Sequence, residues 1–324
     1  RRLRAPIYRW PGGNFVSGYD WRHGIGDRDR RPPVPNPAWA GLEPNDFGLH
    51  EFIRFCRELE AEPLITVNTG FGDAHSAAAL LEYANGDART TLWGRRRAEN
   101  GAREPFRVRY WCIGNEMWGP WQLGHMKPEH YMIKHNWVVD TMRSVQPDFI
   151  AIASGQVGPW DELMLRQCAD RMDWIAEHFY CGERPGELSH IRQIPEAIRK
   201  KAEAHRQYRR EIAELAGRNI RVAVTEWNYW YGPHVFGDLG TRYFLRDALG
   251  IAAGFHEYAR QSDLIVAAFY AQTVNVIGAI KTDRTRAALE TTGWALAMYR
   301  EHFLGAPLAT QCDRWMEAQA LRSP

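Results

Sequence analysis

Seven short apolar runs, separated by helix-length segments and nearly all closed by a polar side chain, constrain this chain more than any other feature. They lie at 6–10, 64–68, 108–113, 149–153, 172–180, 221–225 and 264–271. In the third, Val108, Tyr110 and Cys112 alternate with Arg109, Trp111 and Ile113, the period of a strand covered on both faces. Between the runs the spacing turns helical. Leu49, Phe52, Ile53, Cys56 and Leu59 share one face, and further helices are expected over 77–83, 128–145, 195–216, 244–258 and 291–303. Pro128 suits a first helical turn and Gly217 a helix end. Strands alternating with helices predict a parallel sheet with right-handed crossovers.

A doubly wound sheet and a closed barrel both satisfy that alternation. The polar residues at the strand ends separate them: Arg9, Asn68, Glu116, Ser154, His178, Glu226 and Gln272. A barrel gathers every strand end at one mouth, whereas an open sheet concentrates its site at one switch point. No G-x-G-x-x-G and no phosphate-cradling loop is present. The expected fold is therefore an α/β (β/α) barrel.

Composition removes other classes. The 324 residues are 45% hydrophobic and 25% charged, with a net charge of +2 and no basic stripe, so neither nucleic acid nor a membrane is an expected partner. Arg28-Asp29-Arg30-Arg31 and Arg95-Arg96-Arg97 read as solvated loop and helix faces. The cysteines at 56, 112, 168, 181 and 312 have no metal-ligand spacing, and Cys56 and Cys112 read as buried thiols in a reducing, cytoplasmic setting. His256-Glu257 lacks the second histidine of a zinc protease, so no metal or cofactor is expected.

Two carboxylates stand out. Glu116 follows Asn115 among Trp111, Trp118 and Trp121, and Glu226 follows Thr225 before Trp227-Asn228. A lone glutamate after a strand is usually a solvated loop residue or an ion-pair partner. Aromatic walls, however, suit sugar rings and disfavour the charged form of a carboxyl. Two carboxylates at one barrel mouth are what glycoside hydrolysis needs: one protonates the leaving oxygen, and the other attacks or activates water.

Six segments in order, RWPGGNFVSGYDWRHGIG from Arg9, EPNDFG from Glu43, WCIGNEMWGPWQLGH from Trp111, EHFY from Glu177, TEWNYWY from Thr225 and AQTVNVIGAI from Ala271, resemble the α-L-arabinofuranosidases of glycoside hydrolase family 51. The resemblance implies Glu116 as general acid/base and Glu226 as nucleophile, on the fourth and seventh strands of a (β/α)8 barrel. That count places one strand before Arg1, so the expected domain is 1–305, a barrel lacking its first strand. Residues 306–324 are a tail or the start of the family's C-terminal β-sandwich, otherwise expected to be absent. The resemblance makes Asn115 the ligand of the sugar 2-OH, Arg9 and Tyr180 partners of Glu226, and Asn14 and Gln272 holders of sugar hydroxyls. It sets His178 near the acid/base and Trp39 and Trp118 at the sugar or aglycone. Local alternatives remain for several of these. Arg9 suits a buried ion pair, His178 a satisfied core imidazole, Asn14 a turn and Trp39 core packing.

The resemblance implies a retaining, exo-acting enzyme releasing arabinose from arabinan or arabinoxylan oligosaccharides, and a homo-oligomer. An endo-β-glucanase or xylanase of the same clan is the enzymatic alternative, and a sugar-binding barrel without catalysis the other. The aromatic-bearing loop between Asn14 and Glu43 favours a blind pocket over an open cleft. Tyr229, Phe269 and Tyr270 depart from the commonest family residues and leave linkage preference open.

Overall fold

The structure, a computed structural model, describes residues 1–235, 237–308 and 320–322. All seven expected strands are found: β1 (Ile7–Trp10), β2 (Glu62–Val67), β3 (Tyr110–Ile113), β4 (Ile150–Ser154), β5 (Trp174–Cys181), β6 (Arg221–Tyr229) and β7 (Ile265–Tyr270). They are ordered in the sheet as in the chain. Each pair whose register is defined is parallel, including β1 with β2, β2 with β3 and β6 with β7. Strand–helix alternation in that order is a (β/α) barrel topology. An eighth parallel strand is not among the described residues.

Among the described residues, eight helices of two turns or more accompany the strands: α1 (Leu49–Glu58), α2 (Ala74–Asn85), α3 (Leu92–Glu99), α4 (Pro128–Val145), α5 (Pro159–Gln167), α6 (Glu187–Glu211), α7 (Leu245–Arg260) and α8 (Thr291–His302). The patterns do not foretell α3 and α5. In α3, LWGRRRAE is too polar to show an apolar stripe, and the helix starts where the Thr91 side chain accepts from the backbone of Gly94. Its Arg97 is not solvated as expected. Fully buried, it donates to the carbonyls of Tyr83, Ala102 and Arg103. Helix α6 begins eight residues earlier than expected and takes Pro195 into its interior. A proline there leaves the Ile191 carbonyl without its helical donor. The hydroxyl of buried Tyr229 lies against that turn, 2.8 Å from the His190 carbonyl and 3.5 Å from that of Ile191.

The chain divides into two compact units, one of Pro6–Ala176 with Tyr208–Arg221, the other of Arg1–Ala5, Glu177–Gln207 and Val222–Pro324. In the first, Leu49, Phe52, Ile53 and Cys56 of α1 pack with Ile65, Val67, Trp111 and Ile113 of the strands. Burying such side chains contributes about 1.5–3 kcal/mol each. In the second, Trp227 and Tyr229 of β6 meet α7 where it carries Gly250 and Gly254. A methyl group at those positions would lie 2.0 Å from the Tyr229 hydroxyl and 2.7 Å from Ile194. Residues Ala306–Leu308 and Ala320–Arg322 form an antiparallel pair; the rest of the expected tail, 309–319 and 323–324, lies outside the described residues.

Candidate active site

In the first unit the chain leaves β3 through Gly114 at φ 85°, Asn115, and Glu116 at φ 44°. Gly114 is required twice over: its backbone is left-handed, and a Cβ would sit 1.9 Å from the Thr69 hydroxyl. Glu116 holds a left-handed conformation without glycine's freedom, which costs roughly 1–2 kcal/mol. Its carboxylate accepts from the Trp121 indole at 2.7 Å, and Trp121 stands edge-on to Trp118 with centroids 5.2 Å apart. Trp118 donates in turn to the Gly155 carbonyl after β4.

Asn115, buried, is held from both ends. Its Oδ1 accepts from the Arg9 guanidinium, and its Nδ2 donates to Gln122 at 3.2 Å. Arg9 also donates to Thr66 of β2 at 3.1 Å, so the ends of β1, β2 and β3 share one polar network. Gln122 continues it to Ser17 and the Gly13 carbonyl. The sequence pattern does not single out Gln122 or Thr66, because polar residues there are common in any loop or strand end. Asn14 serves its own neighbourhood: Nδ2 donates to the Trp121 carbonyl and Oδ1 accepts from Leu123, fixing the loop that carries Trp121. Trp39 is 54% exposed, so core packing does not explain it.

The second unit holds Glu226 differently. Between β6 and β7 the register steps from Val224↔Ala268 to Trp227↔Tyr270, placing three residues against two. Such a bulge re-aims a side chain, here Thr225 or Glu226. Glu226 is 9% exposed, and its Oε2 accepts from the Tyr180 hydroxyl at 2.7 Å. His178 on β5 bonds Thr225 at 2.7 Å and puts Nδ1 3.6 Å from Glu226. The expected same-side placement of His178 and Tyr180 therefore holds, with Glu226 as their common neighbour.

Asn228 anchors the strand behind Glu226. Its amide donates to the Ala271 and Ile277 carbonyls and the Tyr243 hydroxyl, all at 2.8 Å or less, while Oδ1 accepts from Tyr229 N. Gln272 follows the cis Ala271–Gln272 bond, is exposed, and donates to the Val274 carbonyl. Taken separately, one strand end offers a carboxylate beside an exposed indole, and the other a nearly buried carboxylate held by a phenol.

Comparison with known proteins bears on what these strand ends serve. The model of the alpha-L-arabinofuranosidase 1 domain matches residues 1–210, and that of the alpha-L-arabinofuranosidase C-terminal domain matches residues 225–319. The second match runs from within β6 through α8 and on to residue 319. Alpha-L-arabinofuranosidase C of Emericella nidulans is 32% identical over 330 residues, covering 94% of this chain, which spans 64% of that relative's length. An intracellular exo-alpha-(1->5)-L-arabinofuranosidase of Streptomyces lividans is 33% identical over 87% of this chain and 46% of its own. The Thermotoga maritima alpha-L-arabinofuranosidase solved as an arabinose complex superposes with a TM-score of 0.88 at 34% identity, covering 93% of this chain and 62% of the other. With most of its length accounted for in this way, the chain belongs to glycoside hydrolase family 51, the α-L-arabinofuranosidases.

Proposed function

We propose that the protein is a retaining, exo-acting α-L-arabinofuranosidase that removes terminal arabinose from arabinan- or arabinoxylan-type oligosaccharides. The observation that carries the reading is the setting of Glu226, nearly buried, on a bulge, and held by the Tyr180 hydroxyl at 2.7 Å. A nucleophile needs a fixed line of attack, and the phenol donor helps to fix the Glu226 carboxylate.

A Glu226 oxygen attacks the anomeric carbon as the glycosidic C–O bond breaks, and Glu116 gives its proton to the departing oxygen. The product is an arabinosyl ester of Glu226. Glu116, left as a carboxylate by that transfer, then takes a proton from water. The resulting hydroxide attacks the same carbon, the ester bond breaks, and Glu226 returns as carboxylate with configuration retained. Asn115, oriented by Arg9 and Gln122, has a second amide hydrogen for the sugar 2-OH, a bond that strengthens as the oxocarbenium-like state develops.

His178 is proposed to steady Glu226 through Thr225. Gln272 and Asn14 are proposed to border the sugar, and Trp118 and Trp39 the aglycone side. A cytoplasmic setting is part of the reading, supported by the Streptomyces lividans relative that is named intracellular. No described helix is long and apolar enough to cross a membrane. Self-association belongs to the reading as well, and sedimentation of the full-length protein tests it.

The deciding experiment uses aryl α-L-arabinofuranosides with the full-length gene product. Glu226→Gly should be inactive, and added azide should restore turnover to give the inverted arabinosyl azide. Retained hydrolysis in that variant would remove Glu226 from the role.

A further inference from the structure

Behind the strand end that carries Glu226 lies a buried pair the reaction itself does not use. His190, in the first turn of α6, and Asp247, in the first turn of α7, are both fully buried, with Nε2 and Oδ1 2.9 Å apart. The backbone N–H of Arg184 points at His190 Nδ1 from 3.2 Å. A donor there makes Nδ1 the bare acceptor, so Nε2 carries the hydrogen and gives it to Asp247. Among the described residues, no lysine or arginine forms an ion pair with Asp247. It accepts instead from the Tyr231 hydroxyl at 2.8 Å and from the Phe244 backbone at 2.7 Å, which also caps α7.

The chain running from β6 is locked onto this pair at alternate residues. Tyr229 stacks on the His190 ring at 4.4 Å and donates to its carbonyl, while Tyr231 donates to Asp247. Between them, Trp230 meets the other strand: its backbone N–H donates to the Cys181 carbonyl at 2.9 Å, and its ring stands edge-on to Tyr180, centroids 5.3 Å apart. Tyr180 is the donor to Glu226. A continuous set of contacts therefore runs from the imidazole–carboxylate pair through the 229–231 segment to the phenol that holds the candidate nucleophile.

We propose that His190 and Asp247 are positioning residues, whose fixed tautomer and shared donors set the Tyr180 hydroxyl against Glu226. The proposal rests on the reading of Glu226 as nucleophile. The test is a double-mutant cycle in the full-length gene product, with His190→Gln and the milder Tyr231→Phe each made in the parent and in a Tyr180→Phe background. In the parent, each should lower kcat by on the order of ten- to a hundredfold, as small misplacement does, with KM nearly unchanged and a folded circular dichroism spectrum. In the Tyr180→Phe background, the same changes should cost less than about twofold, because the contact they act through is already gone. Full multiplication of the losses in both backgrounds, or folded single variants with parental kcat, overturns the proposal and leaves the nucleophile assignment standing. A Tyr180→Phe protein with parental kcat defeats the role of Tyr180 and this proposal with it. If His190→Gln does not fold, the Tyr231→Phe arm alone decides.

Discussion

At the end of β3 the chain turns through two left-handed residues, Gly114 and Glu116, and sets its carboxylate beside Trp121, which is 56% exposed. At the end of β6 it stays extended through Tyr229, bulges near Thr225–Glu226, and keeps its carboxylate 9% exposed against a phenol. The first arrangement stores backbone strain and leaves a carboxyl close to solvent. The second stores none and ties the strand behind it into a buried amide hub at Asn228. The difference matches the two roles proposed. An acid/base must exchange protons with a leaving group and then with water, so access matters. A nucleophile must meet one carbon along one line, so fixity matters.

The comparison can be broken most forcefully at Glu226. Replacing it with Ala should lower kcat on any arabinofuranoside by on the order of 10⁴-fold or more, measured with an aryl substrate. Glu116→Ala should behave differently. With a poor leaving group the loss should be about 10²–10⁴-fold, but with an activated phenol the first step should survive and burst kinetics should appear. Equal losses on both substrates would erase the distinction between the strand ends. A third effect is on stability. Asn228→Ala strands the Ala271 carbonyl, while the Ile277 carbonyl keeps the Tyr243 hydroxyl as donor at 3.1 Å, and should cost about 1–3 kcal/mol in urea unfolding, without involving Glu116.

The smallest effect concerns pH. His135 on α4 is fully buried, and desolvation pushes its imidazole down to about 4. It packs against Tyr131, whose hydroxyl ties the Ile113 carbonyl to Ser154 N at the root of the Glu116 turn. The unfolded chain, with an ordinary imidazole near 6.5, binds the proton first, so stability rises with pH in that window. As pH falls from about 6.5 to about 4, His135 should remove up to about 3 kcal/mol. His135→Leu should flatten that slope in urea titrations at pH 7 and pH 4.5, and an unchanged slope would clear this residue of the effect.

Periodicity made most of the fold readable. The seven strands stand where alternation and strand-end polarity put them, and Pro128 opens α4 as its position implied. The failures have different physical origins: a charge hidden by nearby backbone in one case, a partner distant in sequence in another. Helix α3 forms around Arg97, whose charge hides in three backbone carbonyls, so composition reads it as surface. Pro195 sits inside a helix because Tyr229, 34 residues on, covers the loosened turn. Trp39, for which core packing was the local alternative to a place at the sugar, is exposed. The two carboxylates were legible because strand-end glutamates among aromatics are unusual, whereas Gln122, Thr66, His190 and Asp247 carry no local mark.

Local chemistry alone settled the strand order, the parallel sense and the residues that end each strand, because hydrophobic period and turn signals are properties of short segments. Which hydroxyl meets Glu226 and which guanidinium meets Asn115 was decided only in three dimensions. Those choices depend on contacts between residues 46 to 106 positions apart, such as Tyr180 with Glu226 and Arg9 with Asn115, and no short segment contains both partners.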